Sequence, residues 1–212
     1  MTGLSRVTGL VRDIAFAQVL GSGLLADAFF VAFRIPNFFR RIFAEGAFSV
    51  AFVPVYSEFE AKGGEVRARA FLDLMCGRLC LILLAVTALC VIGEPVLVMS
   101  LAPVFHNEPE KFQSTIDALR YTFPYLFFIS LVAMAGGILN TRDRFFVPAA
   151  TPILLNVSLI GAIVLLAPRH ENAAVALGLG VLIAGVVQFA FQIPFLRLER
   201  RMPMPRIRLR RS

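Results

Sequence analysis

The sequence predicts an all-α, polytopic membrane protein. Apolar residues fill 58% of the 212 positions, only 17% are charged and the mean hydropathy is +0.78. That is more apolar surface than a soluble domain of this length needs for its core. Runs of about 20 apolar residues, each long enough to cross the hydrocarbon of a bilayer, recur along the chain. Lys and Arg gather in alternate connections between those runs, as expected of a chain threaded repeatedly through a membrane.

Six helical segments follow from this pattern. Residues 1–20 and 24–56 are rich in Leu, Ala, Phe and Val, yet charges interrupt both. The first starts only five residues before Arg6 and reads as short at its N-terminus. No charged n-region, apolar h-region and A-x-A site mark a signal peptide. Residues 71–102 form a third segment, with Glu94 and Pro95 inside it, and 116–140 a fourth. The fifth and sixth, 147–167 and 173–196, carry few formal charges and are separated by a short linker containing PRHEN. Together they define a transmembrane lobe over 1–198, followed by a basic linker over 199–212.

Charge sets the expected orientation. Lys62, Arg67 and Arg69, then Arg142 and Arg144, then seven arginines within 197–212 fall on one side when six crossings are counted. The opposite side holds Lys111 and Arg169 beside Glu108, Glu110 and Glu171. The positive-inside rule puts both termini in the cytoplasm. A net charge of +7 and a basic tail could indicate nucleic acid, but a tail so close to the last crossing reads as an anchor on anionic membrane lipids, with no nucleic-acid partner.

The charges within the first two segments ask for a function. A charge at the bilayer centre costs about 2.5–3.5 kcal/mol on insertion scales, so a cluster of them implies a protein interior or a water-filled cavity. Asp27, Arg34 and Arg41 are spaced seven apart and form one polar stripe on a helix. Arg40 widens it, and Glu45 lies one turn beyond Arg41. Upstream, Arg6, Gly9 and Asp13 share a face, with Arg12 beside Asp13. Guanidinium forks match phosphate oxygens and stay charged at low dielectric, so a pocket with excess arginine suits an anionic head group. Pro36 lacks an N–H and should break or kink the second segment, as in the discontinuous helices of transporter sites. Snorkelling to an interface would explain one such arginine but is weaker for a cluster with acidic partners.

Several longer stretches resemble one family. SRVTGLVRD (5–13), ADAFFVAFRIPNFFRRIFAEGAFSVAFVPVYSEF (26–59), TFPYLFFISL (122–131), GGILNTRDRFFVPAATPILLN (136–156) and FQIP (191–194) look like the MurJ (MviN) family. These are lipid II flippases of the multidrug/oligosaccharidyl-lipid/polysaccharide (MOP) exporter superfamily. The resemblance is collinear over essentially the whole chain. It implies the six-helix N-terminal lobe of a MOP-type transporter in the bacterial cytoplasmic (inner) membrane. Its substrate would be lipid II, the undecaprenyl-diphosphate-linked peptidoglycan precursor, moved by alternating access through a cationic cavity. Carried over residue by residue, Arg6, Arg12 and Arg40 are expected to bind the diphosphate, with Arg34 and Arg41 in the same substrate-binding set. Asp13, Asp27 and Glu45 are expected as gating ion pairs, and Pro36 as a hinge. The family is longer than this chain, so a C-terminal lobe is expected in the same or another polypeptide.

Other features carry less. Cys76, Cys80 and Cys90 read as small helix-packing hydrophobes, because no His or carboxylate completes a metal set. His106, Glu108 and Glu110 read as a solvated loop. Gly178, Gly180 and Gly185 superficially echo a nucleotide loop but sit in an apolar segment with no preceding strand, where they permit close helix packing. Asn140, Asn156, Gln188 and Gln192 read as interhelical hydrogen-bonding groups. No nucleophile–base arrangement suggests an enzyme, and neither a cofactor nor a metal is called for. Two alternative functions share these residues: export of a different polyprenyl-diphosphate glycan, such as a capsule or O-antigen unit, and a non-transporting membrane fragment.

Overall fold

The computed structural model describes residues 2–21, 23–40 and 47–207. Among them are eight α-helices: α1 (Thr2–Leu20), α2 (Leu24–Arg40), α3 (Ala47–Ile92), α4 (Glu94–Leu101), α5 (Pro109–Thr122), α6 (Tyr125–Asn140), α7 (Phe146–Gly161) and α8 (Ala173–Leu198). The chain is therefore all-α. Among the described residues, four helical stretches are long and apolar enough to cross a membrane: Val50–Ile92, Pro109–Asn140 (α5 and α6 together), Phe146–Arg169 (α7 and the turns that continue it) and Ala173–Leu198.

The long α3 is two legs, not one rod. Gly64 interrupts it with φ 68° and ψ −178°, a left-handed conformation that glycine adopts without the Cβ penalty. Phe59 and Phe71 lie on opposite sides of this break, yet their rings stack with centroids 4.6 Å apart. Twelve positions along a straight helix would separate them by about 18 Å, so the legs fold back on one another. The stretch 58–70, expected as a loop, is thus helical up to its one turning residue. Its Glu, Lys, Ala and Arg content supports helix on both sides. The expected 24–56 segment is represented by α2 and the start of the first leg.

Pro36 produces a second departure. No break appears there: α2 runs through Pro36 to Arg40. Proline removes the N–H that would bond the carbonyl of Ala32, four residues back. A neighbouring helix supplies the replacement, because the Thr122 hydroxyl of α5 donates to that carbonyl at 3.2 Å. Both residues are fully buried. Where no water can reach, such a tertiary donor is what lets a proline remain inside a buried helix.

The core centres on α8, which packs against α2, α5, α6 and α7. Its glycines make this possible. A Cβ at Gly178 would stand 2.8 Å from the Ala118 carbonyl oxygen, one at Gly180 2.4 Å from the Ala162 Cβ, and one at Gly185 2.8 Å from the Tyr125 ring. Small residues here let helix axes approach, which is the main packing device where lipid supplies no hydrophobic drive. The N-terminus of α8 is capped by Asn172, whose side-chain oxygen accepts from the backbone N–H of Ala174 at 3.0 Å while its amide donates to Ser114 on α5 at 3.2 Å. By contrast, α1, α3 and α7 turn Val7, Leu10, Ile14, Leu81, Leu84, Leu89 and Val157 outward, as lipid-facing surfaces do.

Three basic segments meet at one end of the bundle. Glu60, on the first leg of α3, accepts from Arg142 in the α6–α7 turn and from Arg201 beyond α8, the latter at 2.5 Å. Arg144 reaches Glu199 at 2.8 Å. Residues 201–206 then fold back over α3. Asp73 accepts from the Met204 N–H at 2.8 Å, the Asp73 carbonyl accepts from the Arg206 N–H at 2.9 Å, and a Cβ on Gly77 would lie 2.1 Å from the Arg206 carbonyl oxygen.

Candidate functional site

A cavity of about 570 Å³ opens between α1, α2, α6, α7 and α8. Each wall follows from local sequence. Gly9 sits where α1 meets α7, and a Cβ there would make only ordinary contact, 3.6 Å from the Asn156 amide nitrogen. On the α6 wall, Gly136 and Gly137 interrupt the side chains of Ile129, Val132, Ala133 and Asn140. The polar groups that reach the cavity are Ser5 and Arg12 from α1, Asn37 from α2, Asn140 from α6, Thr151 and Asn156 from α7, and Gln188 and Gln192 from α8.

Arg12 is the charged residue of this lining. Its Nε and Nη2 donate to one oxygen of Asp13 at 3.0 and 2.7 Å, and its Nη1 donates to the side-chain oxygen of Asn156 at 2.9 Å. The guanidinium also lies 5.8 Å from the Phe16 ring centroid, within cation–π range. Asn156 in turn donates to the Ser5 carbonyl and the Thr8 hydroxyl, both at 3.2 Å. One carboxamide thus holds α7 to two turns of α1 and presents Arg12 to the cavity.

The other sequence-derived candidates distribute differently. Arg6 and Arg34 are exposed and lie outside the cavity lining. Asp13 is mostly exposed but paired with Arg12. Asp27 is not beside the arginines. It meets Lys111 of α5 at 2.8 Å, and Lys111 also lies 4.6 Å from the Phe105 ring centroid. Pro36 is buried inside α2. Arg41 and Glu45 fall outside the described residues, as does the side chain of Arg40. The stripe expected from seven-residue spacing is therefore described only at Asp27 and Arg34.

Two contributions were not recognised as site residues. Lys111 gave no local signal, because its partner lies 84 positions away. Gln188 and Gln192 were visible as polar residues in an apolar run, but only partly as what they are. Gln188 does make an interhelical bond, donating to the Thr151 carbonyl at 2.7 Å. Gln192 makes none within the described structure.

A family model described as "Lipid II flippase MurJ" matches residues 16–212. The chain belongs to that family. It is 42% identical over 208 residues to the probable lipid II flippase MurJ of Haemophilus influenzae, an alignment covering 93% of this chain and 40% of that protein. Against the lipid II flippase MurJ of Burkholderia cenocepacia the identity is 41% over 203 residues, covering 96% and 39%. A solved structure titled "Lipid II flippase MurJ, inward closed conformation" superposes with a TM-score of 0.76 at 32% identity, covering 91% of this chain and 40% of that one. The chain thus spans about two fifths of the length of these MurJ relatives, and the shared fold extends over nearly all of it.

Proposed function

We propose that this chain forms one lobe of a lipid II flippase in the bacterial cytoplasmic membrane, with Arg12 holding the diphosphate of the undecaprenyl-linked precursor. The observation that carries the reading is the Arg12 guanidinium, the charged group among the described residues lining the polar cavity of a MurJ-family bundle. Arg12 uses three donor contacts on Asp13 and Asn156, and a guanidinium has further N–H groups to offer. A diphosphate would compete with Asp13 for the same fork, which makes Asp13 the counter-ion of the empty cavity.

In the same reading, Arg6, Arg34, Arg40 and Arg41 join the head group as the cavity changes shape during alternating access. Asp27 and Glu45 act as gating ion pairs, the first with Lys111, and Pro36 serves as the hinge of α2. A second lobe, in the same or another chain, supplies the facing wall. Both ends of this lobe face the cytoplasm, where the basic segment after α8 lies against anionic lipid.

The test is rescue of flippase-depleted bacteria by the complete two-lobed protein carrying Arg12→Ala, Arg12→Lys or Arg40→Ala. Loss of growth with both alanine variants at normal protein levels is expected. Lysine should rescue poorly, because an ammonium lacks the bidentate fork. Normal growth of Arg12→Ala would refute its assignment to the diphosphate.

A further inference from the structure

The α8 wall of the cavity differs chemically from the α1 wall. Gln188 and Gln192 are one helical turn apart, share a face, and are 2% and 0% exposed. Gln188 commits its amide N–H to the Thr151 carbonyl at 2.7 Å, which leaves its side-chain oxygen without a partner among the described residues. Gln192 has neither its nitrogen nor its oxygen satisfied. Both line the cavity, and the Gln192 nitrogen lies 3.9 Å from the position a Cβ would take on Gly136 across it. Buried amides without partners are unfavourable, and folds keep them where something else completes their bonds.

The orphaned atoms are a donor and acceptors, and no charge accompanies them on α6, α7 or α8 within the lining. Phosphate offers only acceptors, so it would leave the glutamine oxygens unsatisfied. A secondary amide offers one N–H and one C=O and can answer both kinds of orphan. The geometry points to a neutral subsite on α8, built from Gln192 with Gln188, that takes the acetamido group of an N-acetylated sugar. This rests on the reading of Arg12 as the diphosphate site and deepens it. The guanidinium takes the lipid's diphosphate, and the glutamine wall recognises the first sugar attached to it.

The experiment uses the complete two-lobed protein in lipid nanodiscs and two probes, undecaprenyl diphosphate and undecaprenyl-diphospho-N-acetylglucosamine. Gln192→Met keeps size while removing both orphaned atoms. It should weaken binding of the sugar-bearing lipid about tenfold, as expected for lost hydrogen bonds, and leave the sugar-free lipid unchanged. Its thermal stability should stay level or rise, because no internal hydrogen bond is lost. Gln192→Asn keeps the amide but draws it back toward α8. It serves as second variant with the same selective loss if the methionine protein does not fold. Equal weakening of both lipids, no weakening of either, or a lowered melting temperature with unchanged binding would overturn the subsite. Arg12→Ala reports on the reading beneath it and should weaken both lipids alike. If it does not while Gln192→Met remains selective, the diphosphate assignment fails and the sugar subsite stands. If the wild-type chain binds neither probe, both fall.

Discussion

The carbonyl of Ala32 offers a sharp test of how this bundle tolerates a proline. Replacing Thr122 by Val keeps its shape and removes the hydroxyl that bonds this carbonyl at 3.2 Å. The same hydroxyl lies 3.1 Å from the Leu119 carbonyl on its own helix, but that group already has the Phe123 N–H at 2.8 Å. The Ala32 carbonyl has lost its helical donor to Pro36, so the substitution leaves it buried and unpaired. That costs about 1–3 kcal/mol. Pro36→Ala restores a backbone N–H at the position that normally bonds Ala32. In that background Thr122→Val should cost only about 0.5 kcal/mol, giving a coupling of about 0.5–2.5 kcal/mol. The four proteins of this double-mutant cycle can be compared by reversible unfolding in mixed micelles with increasing SDS, read by circular dichroism. Equal cost of Thr122→Val in both backgrounds, within about 0.5 kcal/mol, would refute the idea that α5 repairs the proline gap.

Other expectations follow from the same packing. Gly180→Ala drives a Cβ to 2.4 Å from that of Ala162 and should destabilise the bundle by about 1–3 kcal/mol, whereas Gly161→Ala, with nothing within 4 Å, should not; thermal melts of the two in the same detergent would show it. Asn156→Ala removes the acceptor of Arg12 and the donor to Ser5 and Thr8, and should raise amide hydrogen exchange in α1 well above that in α6 or α8. Similar exchange in all three helices would mean apolar contact alone seats α1. Asp73→Ala releases the Met204 N–H and the Arg206 guanidinium, so trypsin should cleave after Arg206 several-fold faster than in the parent.

The sequence showed best what depends on composition and local spacing. The all-α class follows from apolar runs, and the glycines of α8 were legible as a packing face because nothing else suits three glycines in an apolar helix. Asn156 was legible as an interhelical bond. Gln192 looks the same in sequence, and the difference is decided by whether another helix brings a partner within reach. At Pro36 the expected break is absent for a related reason. The local rule that proline frees the Ala32 carbonyl is obeyed, but the cure comes from Thr122, 90 positions away. Asp27 was placed on a stripe by periodicity along its own helix, while its partner Lys111 is set by how α2 packs on α5. A connection was expected over 58–70, but its contraction to the single turning residue Gly64 was not legible, because strong helix formers surround it on both sides.

What seats α1 also governs what Arg12 can do. Of the helices around the cavity, α1 has an outer face of exposed apolar residues and packs chiefly on α7. Between apolar helices in lipid there is no hydrophobic drive to hold such a contact, so hydrogen bonds and close packing carry more of the load. Here those bonds run through Asn156, and one of them ends on the guanidinium that faces the cavity. An anion drawing on Arg12 therefore draws on the same donors that fix α1 to α7 and satisfy Asp13. Binding and helix seating are then linked, and the linkage is reciprocal: whatever loosens α1 changes anion affinity, and an anion that binds better with α1 displaced shifts α1 by the same free energy. Arg12, shared between the counter-ion Asp13 and the neighbouring helix through Asn156, thus ties any anion it takes to the seating of α1.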